Sequence, residues 1–177
     1  MNTRSIKQRA RLEYEEYIME IKIRFAKEKD YNQVEKIMKQ VQEMHTEWRP
    51  DVYKNVEVVL PFDMYMDYVD NQEFIVATLD NKEVVGTLKY STRNISGGPM
   101  VDRKVMFIDS MGVDEHYRGQ GIGRKLFAFA RNICEEQDCD GLELQVNAKN
   151  AAAKKMYEKY GFTEKSVNME LLNWRDK

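Results

Sequence analysis

Apolar and polar residues alternate, or apolar residues form short runs, in segments typical of β-strands along most of the chain. Six such segments are found at 21–26, 73–79, 83–91, 104–113, 142–146 and 168–172. The second and third are separated only by the turn residues Asp80, Asn81 and Lys82, which predicts a β-hairpin. The pattern therefore predicts a sheet with a central antiparallel part.

Between these segments, apolar residues recur at spacings of three and four, as on one face of a helix. Asp30 is placed to cap the first of these helices, and a second, short helix is predicted to end near Asn71. A third helix is predicted to start near Ile122. A fourth is capped by Asn150 and ended by Gly161.

The order of these elements predicts the α/β class, with mixed helices and strands. The 177 residues are enough for one domain with a substantial core, and we expect residues 21–177 to form it. Residues 1–20 are charged and loosely amphipathic, which predicts an N-terminal helical extension. This extension is a candidate for packing on the domain itself or on a second copy of the chain, as a homodimer.

Composition argues against several classes of protein. The formal net charge is −2, from 28 basic and 30 acidic residues, which disfavours binding to nucleic acid through bulk charge. The longest apolar stretches, such as 74–79, are too short to cross a bilayer. No apolar block follows the basic residues near the N-terminus, as it would in a signal peptide. We therefore expect a cytoplasmic protein that binds neither membranes nor nucleic acid.

The cysteines and histidines do not form a metal-binding pattern. Cys134 and Cys139 lie five residues apart and are interpreted as free thiols in a reducing cytosol. His45 and His116 are distant from each other in sequence, whereas a zinc site needs four ligands at paired spacing. We therefore expect no metal.

The segment RGQGIG at 118–123 lies between a predicted strand and a predicted helix. The N–H groups of residues 119–124 can approach an anion closely, because glycine places no side chain in between. The helix dipole and the side chains of Arg118, Arg124 and Lys125 add positive potential. We therefore expect this loop to bind an anion, and a diphosphate fits it best.

Three other interpretations of this loop compete. The dinucleotide fingerprint needs G-x-G-x-x-G, whereas here Gly119 and Gly121 are followed by Gly123. Arg124 therefore occupies the position of the third glycine. No frame supplies the G-x-x-x-x-G-K-[ST] of a P-loop. A glycine turn without a ligand stays open, although three alternating glycines lower helix propensity where a helix begins.

Two motifs resemble those of the GNAT superfamily of N-acetyltransferases. The signature Q/R-x-x-G-x-G/A is matched by Arg118, Gly121 and Gly123, after a strand end similar to the family's L-x-V. Further along the chain, the pattern N-x-x-A-x-x-x-Y-x-x-x-G-F is matched by Asn150, Ala153, Tyr157, Gly161 and Phe162. The two motifs together are specific, and the resemblance covers roughly residues 21–172.

This resemblance implies a twisted mixed β-sheet of six to seven strands flanked by helices, split between strands 4 and 5. It implies acetyl-CoA as co-substrate, with pantetheine in the split and the diphosphate on the glycine loop. The implied cofactor-binding residues are Met111, Gly112, Val113, Arg118, Gly119, Gly121, Ile122, Gly123, Arg124 and Asn150. An N–H near Val113 is expected to polarise the thioester carbonyl. For Asn150, the helix N-cap alone is a sufficient explanation.

The resemblance also implies two catalytic residues. Tyr157 matches the family's tyrosine near the departing sulfur, where a phenol donates a proton to the thiolate, and packing in the helical stripe is its alternative. Asp109 is implied as the base that takes the amine proton, directly or through water, and a salt-bridged strand carboxylate is its alternative. Glu143 and Gln145 are weaker candidates, and some relatives need no dedicated base.

Three functions are considered from these features. The first is transfer of an acetyl group from acetyl-CoA to a primary amine by direct attack in a ternary complex. The amine would belong to a small molecule, a peptide N-terminus or a lysine, and would bind near 46–68, the 93–102 loop and the segment before the last strand. The alternatives are a non-catalytic acyl-CoA sensor and a nucleotide-dependent enzyme. We favour the acyltransferase, because a pure binder would not need Tyr157.

Overall fold

The structure, a computed structural model, describes residues 20–172. The helix predicted for residues 1–20 therefore lies outside the described residues, apart from Glu20. The chain divides into two compact units, which are joined in sequence between Leu144 and Gln145.

From residue 20 onward, the first unit is a five-stranded mixed sheet with three α-helices. Its strands are β1 (Ile21–Phe25), β2 (Phe74–Leu79), β3 (Glu83–Ile95), β4 (Arg103–Val113) and β5 (Gly141–Leu144). Its helices are α1 (Tyr31–Trp48), α2 (Phe62–Asp70) and α3 (Ile122–Glu136). Strands β1 to β4 pair antiparallel in chain order, and β5 pairs with β4 in parallel. This is the mixed α/β class that the sequence predicts, and β2 and β3 form the predicted hairpin.

The sheet has fewer strands than the six to seven expected. The predicted last strand at 168–172 is wrong, because residues 163–172 contain neither helix nor strand, and Met169 is 88% exposed. Apolar alternation favours a strand only where other apolar groups cover one of its faces. In contrast, β3 is longer than predicted and takes in the first residues of the expected 93–102 loop, whose turn holds Gly97 and Gly98 at positive φ.

Helices α1 and α3 pack on opposite faces of the sheet, each against a glycine. A Cβ at Gly112 would lie 2.8 Å from Val41 of α1, and a Cβ at Gly86 would lie 2.8 Å from Ile122 of α3. Gly112 pairs with Thr87, the neighbour of Gly86, and neighbouring residues of a strand point to opposite faces. The two glycines therefore let both helices lie close to the centre of β3 and β4.

The hydrophobic core is built around β2. All six residues of β2 are buried, so both faces of this strand are covered, and five of the six residues are apolar. Tyr65 of α2 packs edge to face on Phe74, with ring centres 5.6 Å apart. The hydroxyl of Tyr65 donates to the carbonyl of Lys27 at 2.7 Å, so this buried polar group has a partner.

Asp30 occupies the N-cap position of α1, as predicted, but its side chain does not cap the helix. Its carboxylate accepts hydrogen bonds from the two terminal nitrogens of Arg24, at 2.6 and 2.9 Å, and from the N–H of Lys27 at 2.9 Å. Burial alone would raise the pKa of Asp30, but these hydrogen bonds outweigh it and hold the pKa below its ordinary value. Asp30 therefore ties β1 to the start of α1.

The second unit contains one helix, α4 (Ala151–Lys159), within the described residues. The side chain of Asn150 accepts a hydrogen bond from the N–H of Ala153 at 3.0 Å, so Asn150 is the N-cap that the sequence predicts. Gly161 follows the helix with φ of +91°, in the conformation expected of a helix end. Both predicted boundaries of this helix are confirmed.

The helices within the described residues are either too short or too polar to span a bilayer. Across residues 20–172, no three histidine, cysteine or carboxylate side chains are grouped so that they could hold a metal ion. Cys134 and Cys139 are free thiols. Burial raises the pKa of the Cys134 thiol to about 11, so it is protonated at neutral pH.

Candidate functional site

Strand β5 pairs with only four residues of β4. The parallel register joins residues 105–108 to residues 141–144, where β5 ends, while β4 continues to Val113. Residues 109–113 of β4 therefore extend beyond the pairing with β5. The resemblance implies a split between the fourth and fifth strands, and the pairing of these two strands ends here, after Ile108 and Leu144.

A β-bulge at Asp109 lies directly after the last residue of β4 that pairs with β5. The β3–β4 register pairs Lys89 with Ser110 and then skips Asp109, which has no opposite residue on β3. A bulge bends its strand, increases the local twist and changes the direction of side chains. Asp109 and Ser110 accordingly line one and the same cavity.

The edge of β4 beyond the bulge presents backbone groups of Met111 and Val113. The N–H of Asp114 donates to the carbonyl of Val85 on β3 at 3.0 Å, and successive residues of an antiparallel strand alternate in direction. Met111 and Val113 therefore direct their N–H and C=O groups away from β3. The carbonyl of Val113 accepts a hydrogen bond from Nε of Arg118 at 3.1 Å.

The glycine loop leads the chain from β4 into α3. Gly119 and Gly121 have φ of +79° and +78°, in the left-handed region that glycine adopts without strain. No atom of residues 20–172 lies within 4 Å of where a Cβ would stand at either position, so the backbone there faces open space. Gly121 is the N-cap residue of α3, and Ile122 and Gly123 are buried in its first turn.

The N-terminus of α3 has no side-chain cap and no acidic residue in its first turn. The first N–H groups of a helix have no partner within the helix, and the helix dipole adds positive potential at this end. Arg118, Arg124 and Lys125 are exposed beside it. These features suit an anionic group such as a diphosphate.

Asp114 fixes the chain between the open edge of β4 and the glycine loop. Its buried carboxylate accepts hydrogen bonds from Lys36 at 3.2 Å, from Gln40 at 3.2 Å and from the N–H of His116 at 3.1 Å. Gln40 in turn accepts from the N–H of Glu115 at 3.0 Å. Burial alone would raise the pKa of Asp114, but these hydrogen bonds hold it below its ordinary value. The start of the loop is thus tied to α1.

A cavity of about 240 Å³ opens beside the bulge of β4. It is lined by Met38, Leu60, Tyr68, Phe74, Lys89, Asp109 and Ser110. Leu60 and Tyr68 belong to the 46–68 region in which the sequence places the acceptor site, whereas no lining residue comes from the 93–102 loop. Of the seven, only Asp109 was named from the sequence as a site residue.

Four charged side chains of alternating sign form a network beside this cavity: Glu73, Lys89, Asp109 and Arg93. Nζ of Lys89 lies 2.9 Å from Asp109, 3.7 Å from Glu73 and 4.5 Å from the centre of the Tyr68 ring. Arg93 binds the second carboxylate oxygen of Asp109 at 3.2 Å. Both oxygens of Asp109 are therefore engaged by cations, and the four charges balance.

The other predicted site residues, Asn150 and Tyr157, belong to the second unit. The ring of Tyr157 packs edge to face on Phe162, with centres 5.9 Å apart. Burial raises the pKa of Tyr157, so its phenol is protonated at neutral pH. On the same helix, Lys154 forms an ion pair with Glu164.

Other polar residues considered from the sequence have structural contacts elsewhere. Glu143 forms an ion pair with Arg103 at 3.2 Å. His45 packs against the rings of Trp48 and Tyr53, and burial lowers its pKa. Neither Glu143 nor His45 lines the cavity, and neither do their partners Arg103, Trp48 and Tyr53.

Lys89 is the site residue that the sequence could have indicated. It is the one charged residue between Glu83 and Arg93 of β3. A lysine among apolar strand residues indicates that its ammonium group is paired with an acidic side chain in the fold. Met38, Leu60 and Phe74 carry no such signal, because each has the pattern of an ordinary core position.

Comparison with known proteins identifies the family. A model of the Acetyltransferase (GNAT) family matches residues 38–162. The chain is 35% identical over 68 residues to the ribosomal protein bS18-alanine N-acetyltransferase of Escherichia coli (strain K12), covering 38% of this chain and 45% of that protein. In this and three further curated relatives, the alignment spans 32% to 62% of the relative's own length.

Solved structures agree with the fold. A mutant of the BH1408 protein from Bacillus halodurans has a TM-score of 0.81 and 28% identity, over 85% of this chain and 98% of that chain. The aminoglycoside N-acetyltransferase AAC(6')-Iy in complex with CoA has a TM-score of 0.65 and 15% identity, over 88% and 96% of the two chains, and shares the fold alone. Because the family model covers more than half of this chain, the chain belongs to the Acetyltransferase (GNAT) family.

Proposed function

We propose that this protein is an N-acetyltransferase that moves an acetyl group from acetyl-CoA to a primary amine. The observation that carries the proposal is the open edge of β4, which leads directly into a glycine loop and an uncapped helix N-terminus. Family membership supports it, and one structural relative is in complex with CoA. Bound acetyl-CoA supplies the acetyl group as a thioester, with its sulfur as the leaving group.

The residues of the loop and the open edge suit the two polar parts of this co-substrate. The N–H groups of residues 119–124, with Arg118 and Arg124, would hold the diphosphate at the positive end of α3. The N–H and C=O groups of Met111 and Val113 would pair with the amides of pantetheine, as an added strand pairs with a sheet edge.

The N–H of Val113 is proposed to polarise the acetyl carbonyl. A backbone donor held in a strand stabilises developing negative charge without reorganising during the reaction. The hydrogen bonds of Asp114 to α1 hold the residue that follows Val113 in place, which restrains this donor. The N–H of Val113 lies on the edge of β4 that points away from β3.

The acceptor amine is proposed to bind in the cavity beside the bulge. The amine must be neutral to attack, so its ammonium form has to lose a proton. Asp109 is the candidate acceptor of that proton. Because Lys89 and Arg93 already occupy its two oxygens, we propose that the proton reaches Asp109 through a water molecule.

Tyr157 is proposed as the proton donor to the departing thiolate, on the strength of its position in the second motif. Its raised pKa keeps the phenol protonated at neutral pH, as a donor requires. The ammonium group loses two protons as it becomes an amide. The first passes through water to Asp109 and on to solvent, and the second, released when the amine attacks, restores the proton that Tyr157 gives to the thiolate, so coenzyme A leaves as the free thiol and the reaction balances.

The test is the release of free thiol from acetyl-CoA with a panel of amines. The panel contains aliphatic monoamines, polyamines, amino acids, aminoglycosides, and peptides with a free N-terminus or lysine. Turnover above the rate of acetyl-CoA hydrolysis with any of them supports the proposal. Binding of acetyl-CoA without turnover across the panel would instead indicate a non-catalytic acyl-CoA sensor. Stronger thermal stabilisation by ATP or NAD than by CoA would contradict both.

A further inference from the structure

We propose that the cavity beside the bulge accepts a primary amine carried on a small, uncharged, apolar group, and that Lys89 excludes polyamines from it. This inference rests on the proposed acetyltransferase function and names the class of acceptor. It depends on the balance of charge in the cavity, on the volume of the cavity and on its fixed wall.

The ammonium group of Lys89 occupies the place where an amine-binding site would hold a substrate cation. Nζ of Lys89 lies over the face of the Tyr68 ring at 4.5 Å, between the carboxylates of Asp109 and Glu73. An aromatic face with nearby carboxylates is the usual setting for an organic cation. The side chain of Lys89 is only 13% exposed, so its charge is poorly screened.

An acceptor with a second ammonium group would find no unpaired carboxylate in this network. Asp109 is shared between Lys89 and Arg93, and Glu73 faces Lys89. The second charge would instead lie near the ammonium of Lys89, and juxtaposed like charges are unfavourable. The charge distribution therefore selects against diamines and polyamines.

The rest of the cavity favours a small apolar group. Met38, Leu60, Phe74 and the ring of Tyr68 supply apolar surface. The cavity volume of about 240 Å³ lies below the range of about 300–1,000 Å³ typical of pockets for drug-sized ligands. That volume suits an acceptor with one short aliphatic group.

The wall at Leu60 is held by three hydrogen bonds, so the cavity does not enlarge easily. The two carboxylate oxygens of Glu35 accept from the N–H groups of Val59 and Leu60, at 2.7 and 2.9 Å. The carbonyl of Leu60 accepts from the hydroxyl of Tyr31 at 3.0 Å. Glu35 and Tyr31 both belong to α1, which therefore sets the position of this wall.

The test compares two free amines that match in length and differ in charge, pentylamine and 1,4-diaminobutane. A parallel arm compares tripeptides whose first residue is leucine or lysine, which distinguishes a free amine from a peptide N-terminus as the source of the acceptor. In either arm, the wild-type protein should prefer the uncharged member by at least about tenfold in kcat/KM, as a free-energy difference of about 1.4 kcal/mol would give.

Lys89→Met should move this preference toward one, because it removes the ammonium and leaves Glu73 and Asp109 in excess. Lys89→Arg keeps the charge and should keep the preference. Lys22→Met is the matched control, since Lys22 also lies on a strand and pairs with an acid, Glu20, at 3.1 Å, away from the cavity. Thermal unfolding checks the fold of each variant, and Lys89→Gln replaces the methionine variant if that one does not fold.

The outcomes separate the two proposals. A wild-type preference for the diamine or the lysine peptide would overturn the selectivity argument and leave acetyl transfer standing. An unchanged preference in Lys89→Met or Lys89→Gln would show that Lys89 does not set it. Absence of turnover with every amine would contradict the acetyltransferase function, and the selectivity argument with it.

Discussion

The phenol of Tyr157 is the single group on which the proposed departure of the thiolate depends. Tyr157→Phe removes the hydroxyl and keeps the ring that packs on Phe162. We expect kcat to fall by about a hundredfold or more, the usual contribution of a general acid, while the Kd for acetyl-CoA stays the same. Steady-state kinetics and calorimetric titration measure the two quantities.

Tyr160→Phe is the matched control, since Tyr160 follows the same helix and occupies a variable position of the motif. A kcat for Tyr157→Phe equal to that of the wild type would contradict the proton-donor role.

The pH profile of the wild-type rate gives a second check. A proton donor is active below its folded pKa, and burial raises the pKa of Tyr157. The wild-type rate should therefore not decline from this group below pH of about 10, the ordinary tyrosine value.

Asp109 shows how far alternation along a strand predicts a side chain. Its position in the sequence places it opposite to Ile108, which is buried, and the structure agrees. The bulge was not visible in the sequence, because a skipped residue depends on how two strands align. The cations that hold Asp109 were equally hidden, since Lys89 and Arg93 come from the neighbouring strand.

At the scale of elements, the glycine loop is the part that the proposed binding of acetyl-CoA depends on most. Gly121→Glu would place a carboxylate and a Cβ at the uncapped start of α3, where the backbone now faces open space. We expect the Kd for CoA to rise by at least about a hundredfold, from steric block and like-charge repulsion with the diphosphate. Calorimetric titration with CoA measures this directly.

The control for backbone strain is Gly98→Glu in the turn between β3 and β4. Gly98 also has a positive φ, of +58°, and open space around its Cβ position. Both variants should lose about 1–2 kcal/mol of stability, because each forces a side chain into the left-handed region. Undiminished CoA binding by the Gly121 variant would mean that the diphosphate lies elsewhere.

Helix positions were largely predictable from the sequence, because their signals are local. Asn150 and Gly161 mark both ends of α4, and helical periodicity located α1 and α3. The prediction of a strand at 168–172 was wrong, because a strand depends on more than a local pattern. Its alternating apolar residues meet the local rule, but a strand also needs a surface that covers them, and Met169 is exposed.

At the scale of the whole molecule, the cavity could not have been predicted, because its wall combines parts that are distant along the chain. Met38 comes from α1, Phe74 from β2 and Ser110 from β4. Each residue has an ordinary pattern within its own element. The chemistry of the cavity arises only when the sheet brings these elements together, whereas the glycine loop is contiguous and could be recognised from its spacing.

The stability of the fold should depend on pH through Asp30, whose carboxylate is only 2% exposed and ion-paired with Arg24. Its folded pKa is below the ordinary value. The pair therefore stabilises the protein fully above the unfolded pKa of about 4, and this contribution is lost as the pH falls through the folded pKa. Asp30→Asn removes it at every pH and leaves the half-buried guanidinium of Arg24 without its carboxylate.

We expect Asp30→Asn to lower the free energy of unfolding by about 3 kcal/mol at pH 7, as for other broken buried pairs. The difference from wild type should begin to shrink as the pH falls below about 4, where the carboxyl of the unfolded chain becomes protonated, and should go on shrinking until the folded carboxyl is protonated as well. Urea unfolding at pH 7 and pH 3 measures both values. Asp51→Asn is the matched control, because Asp51 binds Arg49 at 2.6 and 2.8 Å but is 47% exposed, so its loss should cost less than about 1 kcal/mol. Equal losses in the two variants would mean that burial does not govern the strength of these pairs.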